Sequence, residues 1–248
     1  MPEPVSTASI YYALAEARFN RIANMVGYVP QIQDRLRREG FPLYEERTLS
    51  HGPSWRMTQA DKKAGFFLQP WSFVYQTTHF DSHDTLFNKL LSGLKVINEV
   101  VKLDHVTHLY VRCLDAILPK AGEGVADYLA DGFHGFTQIP GYQSSQCEFI
   151  FHTQTGPLRP QGTIVLRIFK VTGPLGFPSD LAAHDLLLRP EYSDTASISH
   201  AVADTDHFVQ GMMPLDFIKL KKQLQSLFMG SRELFTKMTT DHARRVRT

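Results

Sequence analysis

The sequence predicts an α+β fold, with largely antiparallel sheets and a few long helices packed on them. Segments with apolar residues at every second position recur along the chain and indicate half-buried strands. Apolar residues at intervals of three and four, as in Leu86, Leu90 and Leu94, indicate amphipathic helices. Strands and helices do not alternate regularly, and neither GxGxxG nor GxxxxGK[ST] occurs, which disfavours a parallel nucleotide-binding sheet.

The first half of the chain begins with a strand and a helix. In IYYALAEARFNR, residues 10–21, one side of the predicted strand carries Tyr11, Ala13, Ala15, Ala17 and Phe19. YVPQIQDRLRREG then predicts a helix, with Pro30 in its first turn and Gly40 at its end. WSFVYQTT then predicts a core strand. The leucine-rich run after Asp84 predicts a helix, and HVTHLYVRCLDAI, residues 105–117, predicts a buried strand.

The second half repeats this order loosely. A short helical piece, VADYLADGF, precedes four predicted strands, CEFIFHTQT, GTIVLRIFKVTG, HDLLLRP and SISHAVADTDHF. A long helix beginning near Pro214 follows, and Gly230 interrupts its apolar stripe. We therefore expect two similar halves, residues 1–120 and 121–248, joined in one compact unit.

Composition narrows the classes of function. The chain has 248 residues and a formal net charge of +1, so no overall field attracts nucleic acid or an anionic membrane. Cys113 and Cys147 form neither a disulfide framework nor a zinc-ligand spacing, which is typical of a cytoplasmic protein. No signal peptide and no long apolar run are present, so we expect no export and no membrane span. We also expect no cofactor.

A first candidate site lies in THFDSHD, where His79, Asp81 and His83 could bind a metal ion. The same residues also suit a strand end followed by a helix start. Asp81 or Ser82 could cap that helix, and Asp84 would lie favourably in its first turn. No further ligand is evident nearby, so the capping interpretation is favoured.

A second candidate site lies in AVADTDHFV. Asp204 and Asp206 would share one side of a strand, with His207 beside them. Carboxylates two residues apart on a strand are roughly 6.5 to 7 Å apart, so they could share a divalent ion or divide acid and base roles. A solvated strand face or a turn explains the same pattern and is the favoured interpretation.

Charged residues interrupt the apolar strand YVRCLDAI. Arg112 and Asp115 are three residues apart, so they face opposite sides and each needs a partner elsewhere. Such residues are either paired structural groups or binding residues. Structural pairing is the favoured interpretation, and a binding role for both stays open.

Several long stretches resemble a sporadically distributed bacterial family of similar length with no assigned activity. The resemblance covers nearly the whole chain, including YYALAEARFNRIANMVGYVPQIQDRLRREGFP, FLQPWSFVYQTTHFD, GLKVINEVVKLDHVTHLYVRCLDAILP and AVADTDHFVQGMMPLDFIKLKKQLQSLF. The features that carry it are Arg18 with Phe19, Gly40 to Pro42, Arg112 with Asp115, and Asp204 with Asp206. Relatives tend to have a tyrosine and a phenylalanine in place of His79 and His83, and a histidine in place of Phe228.

Three functional hypotheses follow. The first is a non-catalytic cytoplasmic binding protein, a partner or sensor in an accessory bacterial system such as phage defence or toxin control, acting on a protein partner or as a homo-oligomer. The alternative is a metal-dependent hydrolase that uses Asp204, Asp206 and His207 around a bound metal ion, with Arg112 or Asp115 in support. The third, nucleic-acid binding through a sheet displaying Trp71, Phe73 and Tyr75, is not otherwise indicated.

Overall fold

The computed structural model describes residues 9–50, 52–136, 144–153, 162–181, 185–193 and 198–246. Within these ranges nine strands form one antiparallel sheet in the order β2-β3-β4-β5-β1-β6-β9-β8-β7. The strands are β1 (Ile10–Arg18), β2 (Leu43–Leu49), β3 (Gly52–Thr58), β4 (Ala64–Gln69), β5 (Ser72–Thr77), β6 (His105–Ile117), β7 (Gln146–Thr153), β8 (Gly162–Thr172) and β9 (Ser199–Pro214).

Three of the described helices cover one face of the sheet, here called the helix face. The helices are α1 (Met25–Arg38), α2 (His83–Val101), α3 (Pro190–Ser193), α4 (Phe217–Met238) and α5 (Asp241–Val246), with a 3₁₀ turn at Val125–Asp127. Helices α1, α2 and α4 bury their leucine-rich sides against alanines and aromatic residues of the central strands. Each leucine buried in this way stabilises the fold by about 1.5–3 kcal/mol. The coarse α+β prediction is confirmed, with one sheet in place of several.

Close packing between α2 and the sheet depends on Gly93. A Cβ atom at this position would lie 2.6 Å from Phe73 Cε1 and 2.9 Å from Phe66 Cε1. We therefore expect Gly93→Ala to lower the free energy of unfolding by about 1–3 kcal/mol through overpacking, more than the gain of up to about 1 kcal/mol in helix propensity. Gly176→Ala is the control, because nothing lies within 4 Å of its added Cβ. Equal urea midpoints for the two variants would contradict this account.

The other face of the sheet, here called the open face, is covered in part by described residues. Residues 173–181 and 185–193, the covering segment, place Leu175, Leu181, Leu186 and Tyr192 against it. The backbone amide of Leu187 donates to the Lys62 carbonyl, which anchors the segment at 2.9 Å. The predicted strand HDLLLRP is wrong for residues 185–189, which cross the sheet face and do not join the sheet.

A β-bulge near the start of β1 changes which residues reach the open face. The register shifts between Ile10 and Tyr12. As a result Tyr11 and Tyr12 both belong to the open-face cluster, while Ala13 belongs to the helix-face core. The prediction that Tyr11 shares a side with Ala13 is wrong, because the extra residue of a bulge reverses the alternation.

The sheet runs through both predicted halves, because β6 pairs with β9 from His105↔Pro214 to Ile117↔Ala201. The boundary near residue 120 and the similarity of the halves stay predictions. No described helix is both long and apolar enough to cross a lipid bilayer.

Candidate functional site

A pocket of about 250 Å³ lies on the open face, over the middle of the sheet. Strands β1, β4, β5, β6 and β9 form its floor, and Asp180 and Leu181 of the covering segment form one wall. Aromatic and apolar side chains supply part of the lining, among them Tyr12, Phe67 and Tyr110. The charged lining consists of Glu16, Arg18, Arg112, Asp180 and Asp206.

Arg112 is the central side chain of the pocket floor. Its Nε and Nη2 donate to the two oxygens of Asp204, each at 2.7 Å. Its Nη1 and Nη2 also donate to Asp180, at 2.6 and 3.2 Å. Asp204 is fully buried, and Arg167 adds a second guanidinium at 3.5 Å. This guanidinium therefore joins the floor of the pocket to the covering segment.

Asp206 differs from its neighbour Asp204. Part of the Asp206 surface is exposed to solvent. Its Oδ1 atom is buried, however, and has no hydrogen-bond partner within the described part of the chain. Burial raises the pKa of Asp206 to about 7; Arg112 opposes this rise, while Asp204 and Glu16 add to it. A carboxyl group that is half-protonated near neutral pH thus lines the pocket.

Asp206 is expected to make stability depend on pH. The pKa of Asp206 is about 7 in the folded state, above its ordinary value near 3.8. Between these two pH values the folded chain retains a proton that the unfolded chain loses. This contribution to stability is fully present below about pH 4 and is lost as the pH rises through 7. Asp206→Asn should therefore be more stable than the natural chain at pH 8, by about 2–4 kcal/mol, and equally stable near pH 4. Urea unfolding at both pH values measures this, and a pH-independent difference would contradict it.

The rim of the pocket carries an ion pair and stacked aromatic rings. Arg18 Nε donates to Glu16 Oε1 at 2.7 Å, and the Arg18 guanidinium lies 4.4 Å from the Tyr110 ring centroid. Tyr110 stacks in turn on Phe208, at 5.1 Å between centroids. The Arg18 guanidinium is therefore engaged on both the carboxylate and the ring.

The structure brings Arg112 together with Asp204 and Asp206, which the sequence predicted as a separate candidate site. Asp204 and Asp206 lie on one side of β9, but His207 lies on the other. His207 Nδ1 is 2.7 Å from the Leu227 carbonyl oxygen of α4, and burial lowers the pKa of this histidine. Grouping His207 with the two aspartates is wrong, because successive residues of a strand face opposite sides.

Asp115 lies beneath the helices, away from the pocket. Its carboxylate accepts hydrogen bonds from Arg232 Nη1 at 2.6 Å, Arg232 Nη2 at 2.9 Å and Ser9 Oγ at 2.5 Å. Both ion-pair partners are fully buried. Asp115 therefore has the structural pairing that the sequence favoured, and a binding role for Arg112 stays a prediction.

The THFDSHD segment caps a helix. Ser82 accepts a hydrogen bond from the Thr85 amide at 3.1 Å as the N-cap of α2, and Asp84 lies in the first turn. Asp81 accepts from the Thr85 hydroxyl at 3.2 Å. The His83 ring stacks on the Phe228 ring, with 5.2 Å between the ring centroids.

No group of three or more His, Cys, Asp or Glu side chains is arranged to hold a metal ion among the described residues. His79, Asp81 and His83 therefore do not form a metal site with other described residues. The His79 ring contacts the Thr78 hydroxyl.

Sequence reasoning missed Glu16, Arg18, Tyr110 and Asp180 as pocket residues. The signal for Glu16 and Arg18 was available, because polar residues alternate with alanines on β1, a strand that proves central. Asp180 gives no such signal, since only the fold brings it to Arg112, 68 positions away.

Comparisons with known proteins add no relative. No protein-family model matches the chain, and no curated protein matches it significantly. The family resemblance seen in the sequence therefore stays an expectation.

Proposed function

We propose that this chain is a non-catalytic cytoplasmic binding protein that takes a small polar ligand in the open-face pocket. The observation that carries the proposal is the buried Oδ1 of Asp206, which finds no donor among the described residues. An unsatisfied buried acceptor costs about 1–3 kcal/mol, and a ligand that donates a hydrogen bond would recover this cost.

The arrangement favours binding over metal-dependent hydrolysis. Both oxygens of Asp204 accept from Arg112, so this carboxylate would have to leave its partner before it could ligate a metal ion. His207, the nearest candidate base along the chain, lies on the helix face. The pocket instead combines one unsatisfied acceptor with aromatic walls, a combination typical of ligand recognition.

The same geometry supports a sensing role. Arg112 contacts both Asp204 in the floor and Asp180 in the covering segment. A ligand that reaches this guanidinium would therefore shift the segment, and a protein partner or a second copy of the chain could detect the changed surface. We place such a sensor in an accessory bacterial system such as phage defence or toxin control, on the patchy occurrence of the family it resembles.

Native mass spectrometry of the protein purified from its own host tests the proposal. We expect a defined small-molecule mass added to the 28.2 kDa chain. Leu14→Trp fills the pocket and should remove the added mass, whereas Leu43→Trp, on the exposed edge strand β2, should retain it. A bare natural chain, or the same added mass in Leu14→Trp, would refute pocket binding.

A further inference from the structure

We propose that the ligand of this pocket is an organic monocation whose N–H groups donate to Asp206, with an aromatic or apolar body against Phe67, Tyr12 and Leu14. This inference rests on the proposed function and specifies the chemistry of the ligand. Its basis is the charge of the lining, the engagement of its guanidinium groups and the unsatisfied carboxyl oxygen.

The charges of the lining favour a cation. Three carboxyl groups and two guanidinium groups line the pocket, which leaves an excess of one negative charge when all are ionised. Directly beside them, Asp204 and the more exposed Glu148 share the single guanidinium of Arg167, at 3.5 and 2.7 Å, so the neighbouring groups add no positive excess. A bound monocation would therefore neutralise the lining.

An anion has no comparable site among the described residues that line this pocket. Arg112 makes four hydrogen bonds to Asp204 and Asp180, and Arg18 is held by Glu16 and by the Tyr110 ring. An incoming anion would compete with these carboxylates and would also face Asp206. The unsatisfied Oδ1 needs a donor, which an amine, amidine or guanidine supplies.

The walls fit a flat or apolar body on this cation. Phe67, Tyr12 and Tyr110 contribute aromatic rings, and Leu14, Val74 and Leu181 contribute aliphatic surface. The Tyr110 and Phe67 rings already face the guanidinium groups of Arg18 and Arg56, at 4.4 and 5.9 Å, so these walls serve the flat body of the ligand and not its charge. The pocket volume of about 250 Å³ accommodates a single-ring ligand.

Binding of a cation should be coupled to loss of a proton from Asp206. The charged groups that act on this carboxyl are Glu16 and Arg18 from β1, Arg112 from β6, Asp204 from its own strand and Arg167 from β8, and the titratable Tyr110 of β6 also interacts with it. Asp180 lines the same pocket from the covering segment. Because burial raises the pKa of Asp206 to about 7, affinity for a cation should fall about tenfold per pH unit as the pH drops well below 7.

Benzamidine and benzamide form a matched pair of probes. They have nearly the same shape, but only benzamidine carries a positive charge. We expect benzamidine to shift amide resonances of β1, β6 and β9 in NMR titrations of the full chain at pH 8, with benzamide at least about tenfold weaker. Asp206→Asn should weaken benzamidine at least about tenfold, while Asp131→Asn, a fully exposed control, should leave its affinity unchanged.

The outcomes separate this inference from the proposed function. Equal binding of the two probes, or unchanged benzamidine affinity in Asp206→Asn, would overturn the monocation inference while leaving pocket binding intact. Failure of benzamidine to bind would also overturn it, and the native mass spectrum would still decide the proposed function on its own. Should Asp206→Asn fail to fold, Glu16→Gln takes its place, and several-fold weaker benzamidine binding is expected.

Discussion

Replacing Arg232 by methionine is expected to lower the free energy of unfolding by about 3–5 kcal/mol, the largest effect on stability that we predict. Arg232 and Asp115 are both fully buried and joined by two hydrogen bonds beneath α4. Removing the guanidinium leaves an ionised carboxylate in an apolar interior with Ser9 as its remaining hydrogen-bond partner in the described residues. Urea unfolding at pH 7 measures the loss.

A matched triple variant tests the physical reason. Arg232→Met, Asp115→Leu and Ser9→Ala together remove the buried charges and the hydroxyl that would lose its acceptor. Replacement of a buried ion pair by apolar residues is often neutral or stabilising, so most of the lost stability should return. A triple variant as unstable as Arg232→Met alone would show that Arg232 stabilises the fold mainly by packing. One such contact is with the Phe235 ring, whose centroid lies 4.3 Å from the guanidinium carbon.

Arg112→Met should lower the free energy of unfolding by about 3 kcal/mol and remove ligand binding as well. The variant leaves the fully buried Asp204 with Arg167 as its remaining ion-pair partner among the described residues, at 3.5 Å. It also frees Asp180, which the guanidinium holds in the wall of the pocket. Urea unfolding and the native mass spectrum measure the two effects separately.

Two further variants separate these effects. Arg167→Met removes a weaker and more exposed contact to Asp204, so it should cost below about 1 kcal/mol. Arg112→Met combined with Asp204→Leu should recover much of the stability but none of the ligand, because the link to Asp180 is still missing. If the double variant bound ligand normally, Arg112 would be only a structural residue.

Local sequence patterns predicted the bounds of a strand or helix correctly where the element's own residues determine it. The β6 strand has the predicted bounds, residues 105–117, because apolar residues with high strand propensity predominate in it despite the charged side chains of Arg112 and Asp115. The start of α2 is also as predicted, since Ser82 and Asp84 favour a helix N-terminus through side-chain capping and charge. These interactions are confined to a few neighbouring residues.

Long-range pairing could not be predicted in the same way. The bond between Arg112 and Asp204 joins residues 92 positions apart, and it depends on β6 and β9 lying side by side. The bulge at Tyr11 and the non-strand course of residues 185–189 are likewise set by tertiary contacts. The sequence could therefore show charged residues in apolar strands, but not that they form one pocket.

A crystal structure of the protein purified from its own host would test most directly whether the open-face pocket binds a small molecule. We expect electron density for a small organic molecule in the open-face pocket, with a nitrogen within hydrogen-bond distance of Asp206 Oδ1. Ordered water alone at that oxygen, in protein whose mass spectrum shows a bound molecule, would place the ligand elsewhere and contradict the account.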